Sequence, residues 1–256
     1  MTGDIHIWYR ETESLDSSAV RAAEATLSAE ERARADRLRF PHDRRDYVVA
    51  HDLLRRSLST LDPLEPGEWQ FDVNEHGKPH VRPAVPGDGS NERRALSFSL
   101  THTRGLVACA IGFNVRVGVD VERLDRDVAA AEVAARFFAP REVAALQQCD
   151  AASRTLRFVE LWTLKEAYVK AIGLGLTQPL SALSFDLEDD AIAFTSPSSD
   201  RASWSFAVFA PSPSTRMAVA VCGGNRDQPG LVVRADGGAV TRDGGTRMSP
   251  LRTSAG

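Results

Sequence analysis

Residues 115–122 read Val-Arg-Val-Gly-Val-Asp-Val-Glu, and residues 162–170 read Trp-Thr-Leu-Lys-Glu-Ala-Tyr-Val-Lys. In the first stretch valine holds every odd position. That alternation is the period of a β-strand with one buried face. Gly118, Asp120 and Glu122 then share the opposite face. Two carboxylates side by side repel each other unless a cation lies between them, and oxygen ligands placed this way suit a hard divalent ion. Gly118 is expected to leave room there for a ligand. The plain alternative is an exposed strand carrying two acids. The second stretch has helical spacing, so Trp162, Glu166 and Lys170 share one face, and Gly173 supplies a stop. Glu166 is a candidate third oxygen for the same ion. Lys170, one turn on, can face an anionic substrate or give up a proton. The alternative here is a surface ion pair worth about 0.3–0.5 kcal/mol.

Lysine usage sharpens the second reading. Of the 31 basic residues only Lys78, Lys165 and Lys170 are lysine; the remaining 28 are arginine. A chain that writes arginine for generic positive charge keeps lysine for sites needing a compact ammonium.

Two further segments carry candidate chemistry. Ser99-Leu-Thr101-His102-Thr103 puts hydroxyls and an imidazole at a strand end, a set that suits phosphate. No G-x-S-x-G elbow accompanies them, which disfavours a nucleophilic triad. His102 alone also reads as a hydrogen-bonded structural residue. Gly77-Lys78-Pro79 reads as a turn carrying the third lysine, or as a plain hairpin turn.

Outward from these segments, Ile5–Tyr9 alternates as a first strand. Ser28 with Glu31 forms a capping box that opens a helix. A second helix is expected over residues 43–60, and strands over 69–73 and 79–81. An exposed loop is expected over 83–94, followed by a hairpin of 96–100 with 106–111. The rest repeats the plan, with helices over 127–138, 140–148 and 153–172 and strands over 183–187, 203–209 and 217–222. Phe71-Asp72-Val73 is echoed by Phe185-Asp186-Leu187, and Ser97-Phe98-Ser99 by Ser205-Phe206-Ala207. Helices followed by antiparallel strands, twice over, point to an α+β chain built by duplication. Residues 223–256 contain no aromatic residue and many Gly, Arg, Asp and Ser; they are expected to form a flexible tail.

Bulk properties bound the function. The chain of 256 residues is 43% apolar and 26% charged, the range of a globular protein with a buried core. Its net charge of −4 disfavours nucleic-acid binding through broad electrostatics. Cys109, Cys149 and Cys222 are scattered, so three buried, reduced thiols are expected rather than disulfides or zinc. No export signal and no run of about 20 apolar residues is visible, and the expectation is a cytoplasmic protein away from membranes.

The segments together, in this order, resemble the surfactin-synthetase-activating class of 4′-phosphopantetheinyl transferases over roughly residues 5–222. Arg136-Phe-Phe138 with Glu142, and Gly173–Leu180 after the helix, extend the match. The acidic strand and the W-x-x-K-E-A-x-x-K helix carry most of it. The family usually has serine where this chain has Thr101, which keeps a hydroxyl. It often has lysines in the first helix where this chain offers Arg32, Arg34, Arg37 and Arg39. The resemblance implies two similar α+β halves related by a pseudo-two-fold axis: residues 1–114, residues 115–222 with the metal site, then the tail 223–256. Coenzyme A would lie between the halves. Mg²⁺ or Mn²⁺ would be held by Asp120, Glu122 and Glu166. Glu166, with Glu142 as second candidate, would take the proton from a serine of an apo acyl or peptidyl carrier protein. Lys170 would stabilise and protonate the leaving phosphate. Thr101 and His102 would hold phosphate oxygens, and Gly77, Lys78 and Pro79 would contact the nucleotide. A chain with both halves is expected to act as a monomer. The rival readings are a metal-dependent nucleotide phosphohydrolase and a non-catalytic module that binds coenzyme A or a carrier.

Overall fold

The computed structural model describes residues 4–82, 96–125, 130–175, 179–188, 191–196, 204–223, 230–235 and 252–254. Its first half runs β1 (Ile5–Glu11), α1 (Ser17–Glu24), α2 (Ala29–Ala35), α3 (Pro41–Leu61), β2 (Phe71–Val73), β3 (Pro79–Val81), β4 (Leu96–Thr103) and β5 (Leu106–Phe113). The second half runs β6 (Arg116–Arg123), α4 (Ala130–Phe137), α5 (Pro140–Gln148), α6 (Ala151–Ile172), β7 (Ser184–Glu188), β8 (Ala191–Thr195), β9 (Trp204–Phe209) and β10 (Thr215–Cys222). The order strand, three helices, four strands occurs twice. Asn114, between β5 and β6, has a φ of 57°, a left-handed conformation that asparagine tolerates. The α+β duplication read from the sequence is therefore present. The expected loop over 83–94 falls outside the described residues.

One sheet has the order β11-β1-β5-β4 and another β6-β10-β9-β12-β8-β7, with β11 (Leu231–Ala235) and β12 (Arg252–Ser254) from the C-terminal segment. Their inward faces share one apolar cluster, in which Ile5, Ile7, Ala108 and Ala110 meet Val117, Val119, Val121 and Val219. The odd-numbered valines of β6 thus do what their alternation demanded. Helix α3 covers the outer face of the first sheet, and α6 covers the outer face of the second. Edge strands β4 and β6 lie against each other, where the Val119 amide donates to Ser99 Oγ at 3.1 Å.

A buried clamp is repeated in both halves. In the first, fully buried Arg55 on α3 donates to Glu31 (2.7 Å) and to the carbonyls of Pro66 (2.9 Å) and Trp69 (3.0 Å). In the second, fully buried Lys165 on α6 donates to Glu142 (2.9 Å) and to the carbonyls of Leu180 (2.9 Å) and Leu183 (2.7 Å). Each carboxylate also accepts the amide three residues before it, Ser28 or Ala139, at the start of its helix. Each pair of carbonyls flanks a 3₁₀ turn, Pro66–Glu68 or Leu180–Ala182, that leads into β2 or β7. The Phe-Asp echoes at 71 and 185 occupy those two strands. A buried charge is tolerated only when paired and hydrogen-bonded, and both clamps satisfy that condition with the same parts.

Two expectations need correction. The segment 223–256 is not wholly a loose tail: β11 pairs in parallel with β1, and Val233 is buried in the shared core. Four apolar residues in a five-residue strand (Leu231, Val232, Val233 and Ala235) suffice when an existing sheet edge supplies the partner. Strand β12 likewise pairs with β8 and β9. Of the three free cysteines, Cys109 and Cys222 are buried but Cys149 is partly exposed. No described helix is long and apolar enough to cross a membrane.

Candidate functional site

Helix α6 rests directly on β6. A Cβ added to Gly118 would lie 1.9 Å from the Ala167 carbonyl oxygen and 2.6 Å from the Ala171 nitrogen. The glycine therefore makes room for helix backbone, not for a ligand as the sequence suggested. This close approach brings the two diagnostic segments together. Lys170 Nζ donates to Asp120 Oδ1 at 2.7 Å and to Thr101 Oγ1 at 3.0 Å, and Thr101 Oγ1 donates to the same Oδ1 at 3.1 Å. Residues from β4, β6 and α6, and so from both halves, meet at one carboxylate.

The other oxygen, Asp120 Oδ2, is buried without a hydrogen-bond partner. A buried carboxylate oxygen left bare costs free energy of the order of 1–3 kcal/mol, so its position calls for a ligand. Glu122 and Glu166 are both half-buried on the neighbouring strand and helix positions.

His102 follows Thr101 on β4 and its side chain is open to solvent. The crowded walls around it lower the imidazole pKa; Asp46 pulls it upward, and the Lys170 ammonium pushes it down. Thr101, Asp120 and Lys170 are thus brought together, and His102 adjoins them on β4.

Three other candidates have their side chains committed elsewhere. Glu142, the second candidate base, is 2% exposed, and both its oxygens are held, by Lys165 and Ala139 N on one side and by Phe185 N at 2.8 Å on the other. A carboxylate so engaged belongs to the clamp. Lys165 does need a compact ammonium, but for three inward acceptors. Lys78 Nζ is turned to the carbonyls of Ala171 (3.0 Å) and Val117 (3.3 Å), where burial and the nearby Arg116 lower its pKa to about 8. The amides of Gly77 and Lys78 are also used inside the turn, by Asn74 O and Asn74 Oδ1, while Pro79 is exposed. Trp162, in line with Glu166 and Lys170, packs on Phe137 and stacks with Phe138 and Phe158, which explains Arg136-Phe-Phe138 as support for the helix.

Residues 116–222, the half that carries β6 and α6, match the 4′-phosphopantetheinyl transferase superfamily. The chain is 33% identical over 227 residues to the 4′-phosphopantetheinyl transferase HetI of Nostoc sp., spanning 87% of this chain and 90% of that protein. The chain belongs to the 4′-phosphopantetheinyl transferase family. Further members of the family include a 4′-phosphopantetheinyl transferase of Bacillus subtilis, 31% identical over 65% of this chain and 69% of its own length. The transferase Sfp of Bacillus subtilis is 29% identical over 64% of this chain and 68% of its own length.

The family resemblance implied Mg²⁺ held by Asp120, Glu122 and Glu166. Among the described residues no three His, Cys, Asp or Glu side chains form a ready metal cage. The three-carboxylate set expected from the sequence is therefore not assembled as such. Mg²⁺ does not demand a cage, since it is commonly held by one or two carboxylates plus waters and substrate phosphates. The bare Oδ2 of Asp120 fits that habit. Sequence reading placed Ser99 in a phosphate-binding set and passed over Asn74. Ser99 ties β4 to β6, and the Asn74 side chain donates to Gly173 O at 3.1 Å. Short polar residues announce neither role, because both partners lie far away along the chain.

Proposed function

We propose that this chain transfers the 4′-phosphopantetheine group of coenzyme A to a serine of a carrier protein, releasing adenosine 3′,5′-bisphosphate. The observation that carries the proposal is the meeting of Lys170, Thr101 and Asp120 between the halves, with one buried carboxylate oxygen unpartnered, in a chain of this family.

In the reaction the serine oxygen bonds to the phosphorus next to pantetheine, and the bond from that phosphorus to the bridging oxygen of the pyrophosphate breaks. Asp120 would hold Mg²⁺ through its bare Oδ2, with Glu122 and Glu166 closing on the ion when it binds, and the ion would supply charge neutralisation at phosphate oxygens. Lys170 would offset charge on the leaving phosphate with its ammonium and hand over a proton there. Thr101 orients that ammonium through their 3.0 Å bond. Glu166, directly or through a water, accepts the serine proton. His102 takes up a proton and holds a phosphate oxygen, and its lowered pKa is raised again by the bound anion. Both halves lie in one chain, so a monomer suffices for the site.

The test is incubation with coenzyme A, Mg²⁺ and a panel of apo acyl and peptidyl carrier proteins, read by intact mass. One phosphopantetheine per carrier, lost in Asp120→Ala and on chelation, is the expected result. Release of free phosphopantetheine without any acceptor would make the chain a phosphohydrolase. A folded chain that modifies no carrier would make it a binding module.

A further inference from the structure

Helix α6 ends at Ile172, and the carbonyls of its last turn have no partners within the helix. Gly173 N closes back on Val169 O at 3.0 Å. Two of the orphan carbonyls in this region are met by residues from the other half of the chain. Lys78 Nζ donates to Ala171 O at 3.0 Å, and Asn74 Nδ2 donates to Gly173 O at 3.1 Å. The turn that delivers them is folded by the same asparagine. Asn74 Oδ1 accepts the amides of His76 (3.0 Å) and Lys78 (2.8 Å), and Gly77 turns the chain with a φ of 83°. Gly173 is needed twice over. Its φ is 73°, and a Cβ there would lie 2.8 Å from Lys78 Cδ.

Lys78 makes one more contact, and it links this cap to the site. The same ammonium donates to Val117 O on β6 at 3.3 Å. Val117 adjoins Gly118, over which Ala167 and Ala171 of α6 pass in direct contact. One side chain from the β2–β3 hairpin therefore bonds the strand that carries Asp120, at Val117, and the helix that carries Lys170, at Ala171. A positive charge at a helix C-terminus is also favoured by the helix dipole.

We infer that Lys78 is a positioning residue: it pins α6 to β6 from the opposite half and so sets the distance between Lys170 and Asp120. This rests on the transferase reading for its consequence but not for its geometry. Lys78 thereby acts through Lys170 and not as a nucleotide ligand. It also makes the catalytic half depend on a hairpin that belongs to the other half.

The experiment uses the full chain with Lys78→Met and, as a milder variant, Asn74→Ala. Hydrogen exchange at residues 169–173 should rise in both. Turnover at saturating coenzyme A should fall at least about tenfold in Lys78→Met, and less in Asn74→Ala. Affinity for adenosine 3′,5′-bisphosphate should stay within about twofold of the parent. Lys78→Cys treated with 2-bromoethylamine restores the ammonium and should restore turnover, whereas iodoacetamide should not. The parent treated the same way controls for partly exposed Cys149. Loss of nucleotide affinity with turnover intact at saturation would make Lys78 a ligand contact and overturn the inference. Unchanged exchange at 169–173 overturns it whatever turnover does. If Lys78→Met does not fold, Asn74→Ala decides by the same readouts. If the parent itself modifies no carrier, the transferase reading falls, and the exchange measurement still judges the pin.

Discussion

Replacing Gly118 by alanine adds one methyl group at the most crowded of the described glycines. That methyl would sit 1.9 Å from the Ala167 carbonyl oxygen and 2.6 Å from the Ala171 nitrogen. Both obstacles are helix backbone, so no side chain can swing aside. To reach even a crowded separation, α6 must move off β6 by more than about 1 Å, an overpacking strain that costs about 1–3 kcal/mol. The same movement lengthens the 2.7 Å bond between Lys170 and Asp120 beyond hydrogen-bonding range. Misplacement of a reacting group by about 1 Å costs on the order of 10²-fold in rate. Gly118→Ala should therefore unfold at lower urea than the parent yet remain folded in buffer, with turnover down by about two orders of magnitude. Urea unfolding followed by circular dichroism gives the first number, and intact-mass kinetics on a carrier protein gives the second. A variant with parental midpoint and parental turnover would refute the argument that β6 and α6 are in backbone contact. A destabilised variant with parental turnover would refute the link from that contact to catalysis.

Lys165→Met leaves buried Glu142 without its cation and should cost about 3–5 kcal/mol of stability; Arg55→Met, in the equivalent clamp, should cost a similar amount by the same urea measurement. Lys170→Arg keeps the charge but replaces a point ammonium by a planar fork that stays protonated. Steady-state rates should show a large fall in turnover and a smaller effect on coenzyme A binding, and an arginine variant with most of the parental turnover would exclude lysine-specific chemistry there. For acid stability, burial opposes ionisation of Glu31, but hydrogen bonds from His51 and the Ser28 amide, with the charges of His51 and Arg55, hold its pKa at about 2 against an ordinary 4.5. A depressed folded pKa stabilises the native state above the unfolded value. This contribution, of the order of 3 kcal/mol, should be present above about pH 4.5 and lost as pH falls toward 2. The unfolding free energy of the parent should thus fall more steeply from pH 5 to 2 than that of Glu31→Gln.

The sequence by itself carried the periodic parts of this protein. Alternating valines identified β6 and its buried face, and four-residue spacing put Trp162, Glu166 and Lys170 on one side of α6. Both follow from local backbone geometry, which repeats every two or 3.6 residues whatever the rest of the chain does. The echoed Phe-Asp strands revealed the duplication, because equivalent positions in two copies of a fold meet the same packing demand. What the tertiary structure alone decided was the use of each polar atom. Glu142 and Lys78 looked as available as Glu166 and Lys170, until their partners arrived from the clamp and from the C-terminus of α6. Gly118 read as space for a ligand until a helix occupied that space. Strand β11 read as tail because five residues form a strand only where a finished sheet offers an unpaired edge. Hydrogen-bond partners and close contacts between segments far apart in the chain depend on the relative placement of elements, and no local period encodes that placement.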